Sequence, residues 1–172
     1  SASFLKEFGL KSLTLSPEVN MKQIEKLCTR HPFDYEAIGY GYLPLMIMKH
    51  CPMSLLKGCK DDSNCSACPY SKGYGLKDRM GLKFYMERKG KTTTIYNSVP
   101  IMVLDSLRQI YKKGVNIIRL DFTFEEEGIR EIQEIYYACA KGLASEEEVM
   151  DYVNKFRKRK GMTKGHYFRG VI

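Results

Sequence analysis

The sequence lacks any run of apolar residues long enough to cross a bilayer, which takes about 20 consecutive residues. It also shows no signal peptide, no internal repeat and no low-complexity segment. We therefore expect no membrane partner and a cytoplasmic location, where cysteines stay reduced. Two protease signatures are absent as well, namely a Gly-x-Ser-x-Gly elbow and an HExxH motif, so no such motif supports proteolysis.

Positive charge is abundant. The 172 residues include 28 lysines and arginines against 20 aspartates and glutamates, a formal charge of +8. This balance favours an anionic partner, with RNA or DNA ahead of a membrane surface, over the alternative of a solvated basic surface. The candidate RNA-binding residues cluster late in the chain and are Arg157, Lys158, Arg159, Lys160, Lys164, His166 and Arg169. Aromatic neighbours of His166 and Arg169 would suit stacking on a base, although an ordinary basic tail has the same composition.

The first part of the chain predicts a strand, a helix and a second strand. Alternating leucines in "KSLTLSP" indicate a short strand, after which Ser16 would cap a helix that has Pro17 at its first position. The segment "DYEAIGYG" is the next predicted strand. Together they have the size of a βαβ unit.

The second half continues the alternation. We predict a hairpin around Met80 and Gly81, a strand "TTTIYNS", and a helix that Ser98 and Pro100 open and Gly114 ends. A buried strand, "VNIIRLDF", precedes a helix whose N-terminus would carry the glutamates at 125–127. Ser145 and Glu148 form a capping box for a last helix that ends in "KFRKRKG".

This order of elements predicts an α/β fold with a parallel sheet, in a single domain over 1–172. A cysteine-rich insert at 50–70 and the β-hairpin interrupt it. Because a complete (β/α)8 barrel takes about 250 residues, we expect either part of a barrel or a smaller α/β domain.

Four of the six cysteines fall within the insert with the spacing C-x7-C-x5-C-x2-C: Cys51, Cys59, Cys65 and Cys68. Thiolates are soft ligands, and four of them suit tetrahedral zinc or an iron–sulfur cluster. A redox role for Cys65 and Cys68 alone would leave the other two unexplained. Cys28 and Cys139 lie on apolar helical faces and are expected to be small core residues.

Two further residues are candidates for catalysis. His50 stands beside Cys51 and could be a ligand, an acid/base group or a surface residue. Asp121 alternates with Arg119 at the C-terminal end of a predicted buried strand, which is where barrel enzymes place their sites. A charge in a buried strand is costly unless it is paired.

Several short motifs together resemble peptidase family U32, the collagenase-like peptidases of unassigned catalytic type. They are "YGYLPLMIMKHCP", "LKDRMGLKF", "TIYNSVP", "VNIIRLDF" and "TKGHYFRGV". The resemblance runs from about Leu13 to the C-terminus and implies the C-terminal portion of a TIM-barrel-like catalytic region, without its N-terminal strands.

The resemblance also implies a function. Several members of the family are bacterial factors that hydroxylate a pyrimidine base in tRNA or rRNA, and related members carry a four-cysteine [4Fe–4S] cluster. Cys51 in "KHCP" matches the first cluster ligand of the family, and Cys65 and Cys68 match a later pair. Many relatives place a further ligand before the strand leading into "NS", where this chain has Arg88, Lys89, Gly90 and Lys91, so Cys59 would have to serve instead.

We therefore expect an iron–sulfur-dependent RNA base hydroxylation factor, with zinc as the alternative metal. One alternative is a metal- or cysteine-dependent, collagenase-like peptidase. Another is a non-catalytic fragment whose metal site only stabilises the fold.

Overall fold

The computed structural model describes residues 2–31, 33–59, 65, 68–70 and 74–169. The chain forms two compact units. Unit 1 comprises Ser1–Gly41 and Ile101–Ile172, and unit 2 comprises Tyr42–Pro100. The predicted cysteine-rich insert at 50–70 lies within unit 2.

In chain order, the helices and strands are α1 (Ala2–Glu7), β1 (Ser12–Thr14), α2 (Met21–Arg30), β2 (Asp34–Gly41), β3 (Pro44–Met48), α3 (Pro52–Lys57), β4 (Tyr74–Lys77), β5 (Lys83–Lys89), β6 (Thr92–Tyr96), β7 (Ile101–Met102), α4 (Leu107–Lys112), β8 (Val115–Asp121), α5 (Ile129–Ala140) and α6 (Glu146–Lys160). A 3-10 turn at Leu104–Ser106 precedes α4.

The sheet of unit 1 is built around β2. Strand β1 pairs with β2 in parallel, with Ser12 opposite Asp34, and α2 connects the two strands. Strand β8 also pairs with β2 in parallel, and the short β7 pairs with it antiparallel. The predicted βαβ unit is therefore confirmed. The predicted parallel sheet is only partly so, because β7 makes the sheet mixed.

Helix α2 starts later than predicted. It begins at Met21, because the Asn20 side chain accepts hydrogen bonds from the backbone N–H groups of Lys22 and Gln23. The Gln23 side-chain oxygen in turn accepts one from the Asn20 N–H. This capping box takes the place of the predicted cap at Ser16, which lies before a turn.

The helix predicted from Ser98 and Pro100 is wrong over its first part. Ile101 and Met102 are strand residues, fully buried, and they pair with Gly41 and Tyr40. Helical geometry begins only at the 3-10 turn, and α4 ends before Gly114, as predicted. Pairing with a distant strand has overridden the local helix signal.

Helix α5 also begins after the predicted acidic start, at Ile129. Glu125 instead accepts hydrogen bonds from the N–H groups of Thr123 and Phe124 and from the Tyr40 hydroxyl at 2.7 Å. The capping box of α6 is confirmed: Ser145 and Glu148 each accept a hydrogen bond from the other's backbone N–H.

The main core of unit 1 is formed by residues of β2, β7, the 3-10 turn, α4, α5 and α6. Its buried members include Tyr40, Met102, Leu104, Leu107, Ile132, Tyr136, Cys139, Val149, Val153 and Phe156. The Tyr136 hydroxyl donates to the Gly39 carbonyl at 2.7 Å and accepts from the Val103 N–H at 3.2 Å, and burial raises its pKa far above the ordinary value. Cys139 is buried there, as predicted, whereas Cys28 is half-buried.

Unit 2 contains a four-stranded antiparallel sheet in the order β3-β6-β5-β4. The hairpin predicted around Met80 and Gly81 is confirmed and connects β4 to β5. Strand β3 and helix α3 were not predicted.

The fold is thus mixed α/β. The described residues form no closed barrel, so a relationship to a TIM-barrel fragment stays a prediction. None of the described helices is both long and apolar enough to cross a membrane.

Candidate functional site

The cysteine-rich segment of unit 2 is organised around the short helix α3. Cys51 is the residue before this helix, and its carbonyl accepts hydrogen bonds from the Ser54 hydroxyl at 2.7 Å and the Ser54 N–H at 3.0 Å. Cys59 follows the helix and donates its backbone N–H to the Ser54 carbonyl at 3.1 Å. Helix α3 therefore holds the backbones of the first two cysteines.

All four predicted ligands are free thiols. Cys51, Cys65 and Cys68 are half-buried and Cys59 is exposed. The residues at 60–64 and 66–67, which connect Cys59, Cys65 and Cys68, lie outside the described part of the chain. Among the described residues, no three His, Cys, Asp or Glu side chains are arranged to hold a metal ion.

A buried arginine contacts one of these cysteines. Arg88 lies on β5, is only 7% exposed, and donates from Nε to the Cys65 sulfur at 3.4 Å. Its Nη1 donates to the Lys49 carbonyl at 2.7 Å and to the Thr93 hydroxyl at 2.9 Å. No carboxylate among the described residues forms an ion pair with it.

This contact bears on the implied cofactor. Thiol sulfur is the donor that both zinc and iron–sulfur clusters use. A guanidinium that stays charged in a buried position would offset the negative charge of nearby thiolates. The donor chemistry and the local charge both fit a cluster, while the ligand set itself stays a prediction.

The arginine was not identified from the sequence as a site residue. The available signal was the alternation of Phe84, Met86 and Arg88 along β5, which places a charge on the same face as two apolar side chains. His50, by contrast, was predicted as a candidate and is exposed between β3 and α3. Within the described residues we find no hydrogen bond or ion pair of its side chain.

Asp121 lies in unit 1 at the end of β8, where it belongs to a polar network. Arg119 binds it through Nε at 3.0 Å and binds Glu36 on β2 through Nη1 at 3.0 Å. The Thr14 hydroxyl of β1 donates to the same Glu36 oxygen at 2.9 Å. Three parallel strands thus each contribute to one polar cluster, in which Arg119 is shared by two carboxylates.

The ion pairs of Arg119 with Glu36 and Asp121 offset the desolvation cost of placing charged side chains in this strand. All three charged side chains are partly exposed. Glu36 is the least exposed, with 21% of its side-chain surface accessible to solvent. Sequence reasoning identified Arg119 and Asp121 but missed Glu36 and Thr14, because their proximity depends on the strand order.

The basic residues near the C-terminus fall into two groups. Arg157, Lys158, Arg159 and Lys160 form the exposed last turn of α6, where they also complement the helix dipole. The segment at 161–169 folds back onto unit 1: the buried Tyr167 donates its hydroxyl to the Ile38 carbonyl at 2.9 Å.

The Lys164 side chain of this segment already contacts three residues of the chain. Its Nζ forms a 2.8 Å ion pair with Asp105, a hydrogen bond to the Ser106 hydroxyl, and a contact over the Phe168 ring at 5.1 Å. His166 is half-buried and Arg169 is exposed. Phe168 and Arg169 line a cavity of about 380 Å³ together with Met162 and Thr163. The structure therefore groups aromatic and basic side chains here, and their role in RNA binding stays a prediction.

Of three comparisons with known proteins, one gives a match. No curated protein and no solved structure matches the chain. A family model described as Peptidase family U32 matches residues 1–170, which is essentially the whole chain. The chain belongs to peptidase family U32.

Proposed function

We propose that this chain is part of an RNA-modifying protein that binds RNA through basic residues and takes part in hydroxylating a pyrimidine base. The observation that carries the proposal is the buried Arg88 against Cys65, in a segment with four free thiols. A charged guanidinium complements the negative charge that metal-bound thiolates carry.

Cys51, Cys59, Cys65 and Cys68 would hold a [4Fe–4S] cluster, with zinc as the substitute. When bound, the cluster would supply electron transfer at the site. The contribution of the protein is separate from that chemistry. Arg88 would offset the charge of the ligands, and the exposed cations at 157–160 and Arg169 would hold RNA phosphates.

The test is a cysteine replacement with a matched control. Cys51→Ser in the full-length protein should abolish RNA base hydroxylation in cells and should lower the iron content of anaerobically purified protein, because a hydroxyl is a poor iron ligand beside thiolates. Cys28→Ser removes a half-buried thiol outside the cysteine-rich segment. It should change neither RNA base hydroxylation nor the iron content. Neither iron nor zinc in the parent protein would contradict the metal site.

The family match favours a second candidate, a peptidase. A peptidase needs a nucleophile or an activated water beside an acid/base group. Cleavage of gelatin or casein that survives Cys51→Ser and is lost on replacing His50 or Asp121 would favour this candidate. If Cys51→Ser lowers only the thermal stability and no activity of either kind is found, the metal site has a structural role alone.

A further inference from the structure

The net charge of the chain is concentrated in unit 2. Residues 42–100 contain ten lysines and arginines against four aspartates and glutamates, a formal charge of +6. The remaining residues, which make up unit 1, contain 18 lysines and arginines against 16 aspartates and glutamates, a formal charge of +2. The basic turn at the end of α6 is therefore balanced by acidic residues elsewhere in its own unit, whereas unit 2 has a surplus of positive charge.

Part of this surplus lies at the closed end of the β4–β5 hairpin. Lys77 and Lys83 are directly opposite each other across the ladder, both exposed, and Arg79 is exposed in the turn between them. Like charges directly opposite on paired strands repel each other. An anion bound between them would remove that repulsion.

The acidic residue of the turn has a structural role. One Asp78 oxygen accepts hydrogen bonds from the N–H groups of Met80 at 2.8 Å and Leu82 at 2.9 Å. The Asp78 N–H donates to the Leu82 carbonyl at 3.1 Å. With Asp78 included, the end of the hairpin still has a formal charge of +2. Lys77 and Arg79 have no ion-pair partner in the described part of the chain.

The same hairpin presents groups that suit a nucleotide chain. The Lys83 ammonium lies 5.1 Å from the centre of the Tyr85 ring, which combines a cation with an aromatic face. Met80 at the tip is 84% exposed. Because the turn is fixed by its own hydrogen bonds, little ordering is needed when a ligand binds.

We infer that the β4–β5 hairpin is an RNA-binding element, with Lys77, Arg79 and Lys83 on the phosphates and Tyr85 beside a base. This inference rests on the proposed function, in that the chain binds RNA, but it assigns the contact to the hairpin rather than to the basic residues near the C-terminus. An anionic membrane surface would meet the same cations. The aromatic ring among them favours RNA, since stacking on a ring is a property of bases.

The experiment measures binding of a short, labelled single-stranded RNA to the whole chain by fluorescence anisotropy over a series of salt concentrations. Lys77→Gln with Arg79→Gln should weaken binding and reduce the slope of log K against log salt by about 1.4, at about 0.7 per phosphate contact. The matched control is Lys22→Gln with Lys26→Gln, which removes two exposed charges from α2 and should leave the slope unchanged.

The outcomes separate this inference from the proposed function. Equal effects of the two double variants would overturn the hairpin site. So would hairpin-dependent binding of phosphatidylserine vesicles without binding of RNA. Loss of RNA binding in Arg157→Gln with Arg159→Gln, while the hairpin variant binds normally, would overturn this inference and leave the proposed function standing. If the parent chain binds no RNA, both fail.

Discussion

Arg88 and Cys65 are in contact through a hydrogen bond from Nε to sulfur at 3.4 Å, with the arginine 93% removed from solvent. Two further hydrogen bonds fix the guanidinium to the Lys49 carbonyl and the Thr93 hydroxyl. The arginine therefore joins β6, the residue after β3 and the cysteine-rich segment. It is a structural element of unit 2 whether or not a metal is bound.

The first prediction follows from this position. Arg88→Met removes the donor to the Lys49 carbonyl and to the buried Thr93 hydroxyl, and leaving a buried polar group unpaired costs about 1–3 kcal/mol. The free energy of unfolding, measured by chemical denaturation, should fall by that order. Lys89→Met changes the exposed neighbour and should lie within about 0.5 kcal/mol of the parent. Equal stabilities of the two variants would show that the arginine contacts are unimportant.

The second prediction concerns alkaline pH. Burial raises the pKa of Tyr167 to about 12, above the unfolded value of about 10. The neutral phenol is therefore favoured in the folded state, so its contribution is complete below pH 10 and is lost as pH rises toward 12. Tyr167→Phe should reduce the loss of stability between these pH values by an amount on the order of 2 kcal/mol. Tyr137→Phe, at an exposed position, is the control and should leave the pH dependence as it is in the parent.

The third prediction uses two glycines. Gly114 has a φ of +97°, and a Cβ built there would lie 2.6 Å from the Cys28 Cβ. Gly142 has a φ of +71° with nothing within 4 Å. Replacement by alanine should cost about 1 kcal/mol at either site through the left-handed backbone alone. Gly114→Ala should cost clearly more in thermal unfolding, because α2 must also move; equal losses would contradict the close approach of Cys28.

Local signals predicted those elements whose determinants are neighbours in sequence. Ser145 and Glu148 are three residues apart, and their capping box formed as expected. Met80 and Gly81 lie in a turn that Asp78 fixes locally. The prediction failed where pairing is remote, as at Ile101, which follows a plausible helix start but pairs with Gly41.

The same distinction applies to the candidate sites. The cysteine spacing was visible in the sequence, but the contact between Arg88 and Cys65 crosses 23 positions. Glu36 and Arg119 are 83 positions apart in the sequence, and their ion pair depends on β2 lying next to β8. Neither contact has a signature at short range. The sequence indicated which residues carry chemistry, and only the fold indicated which of them meet.

Gly41 and Ile101 are directly opposite each other in the ladder between β2 and β7, and the 59 residues of unit 2 lie between them in the sequence. Opposed residues in an antiparallel pair have Cα atoms about 4.5–5.5 Å apart. A tight hairpin turn spans the same gap. In the sequence, unit 2 therefore stands where a short turn would be enough to connect two adjacent strands. A chain in which a tight turn replaces residues 42–100 is therefore expected to be able to keep the pairing of Gly41 with Ile101.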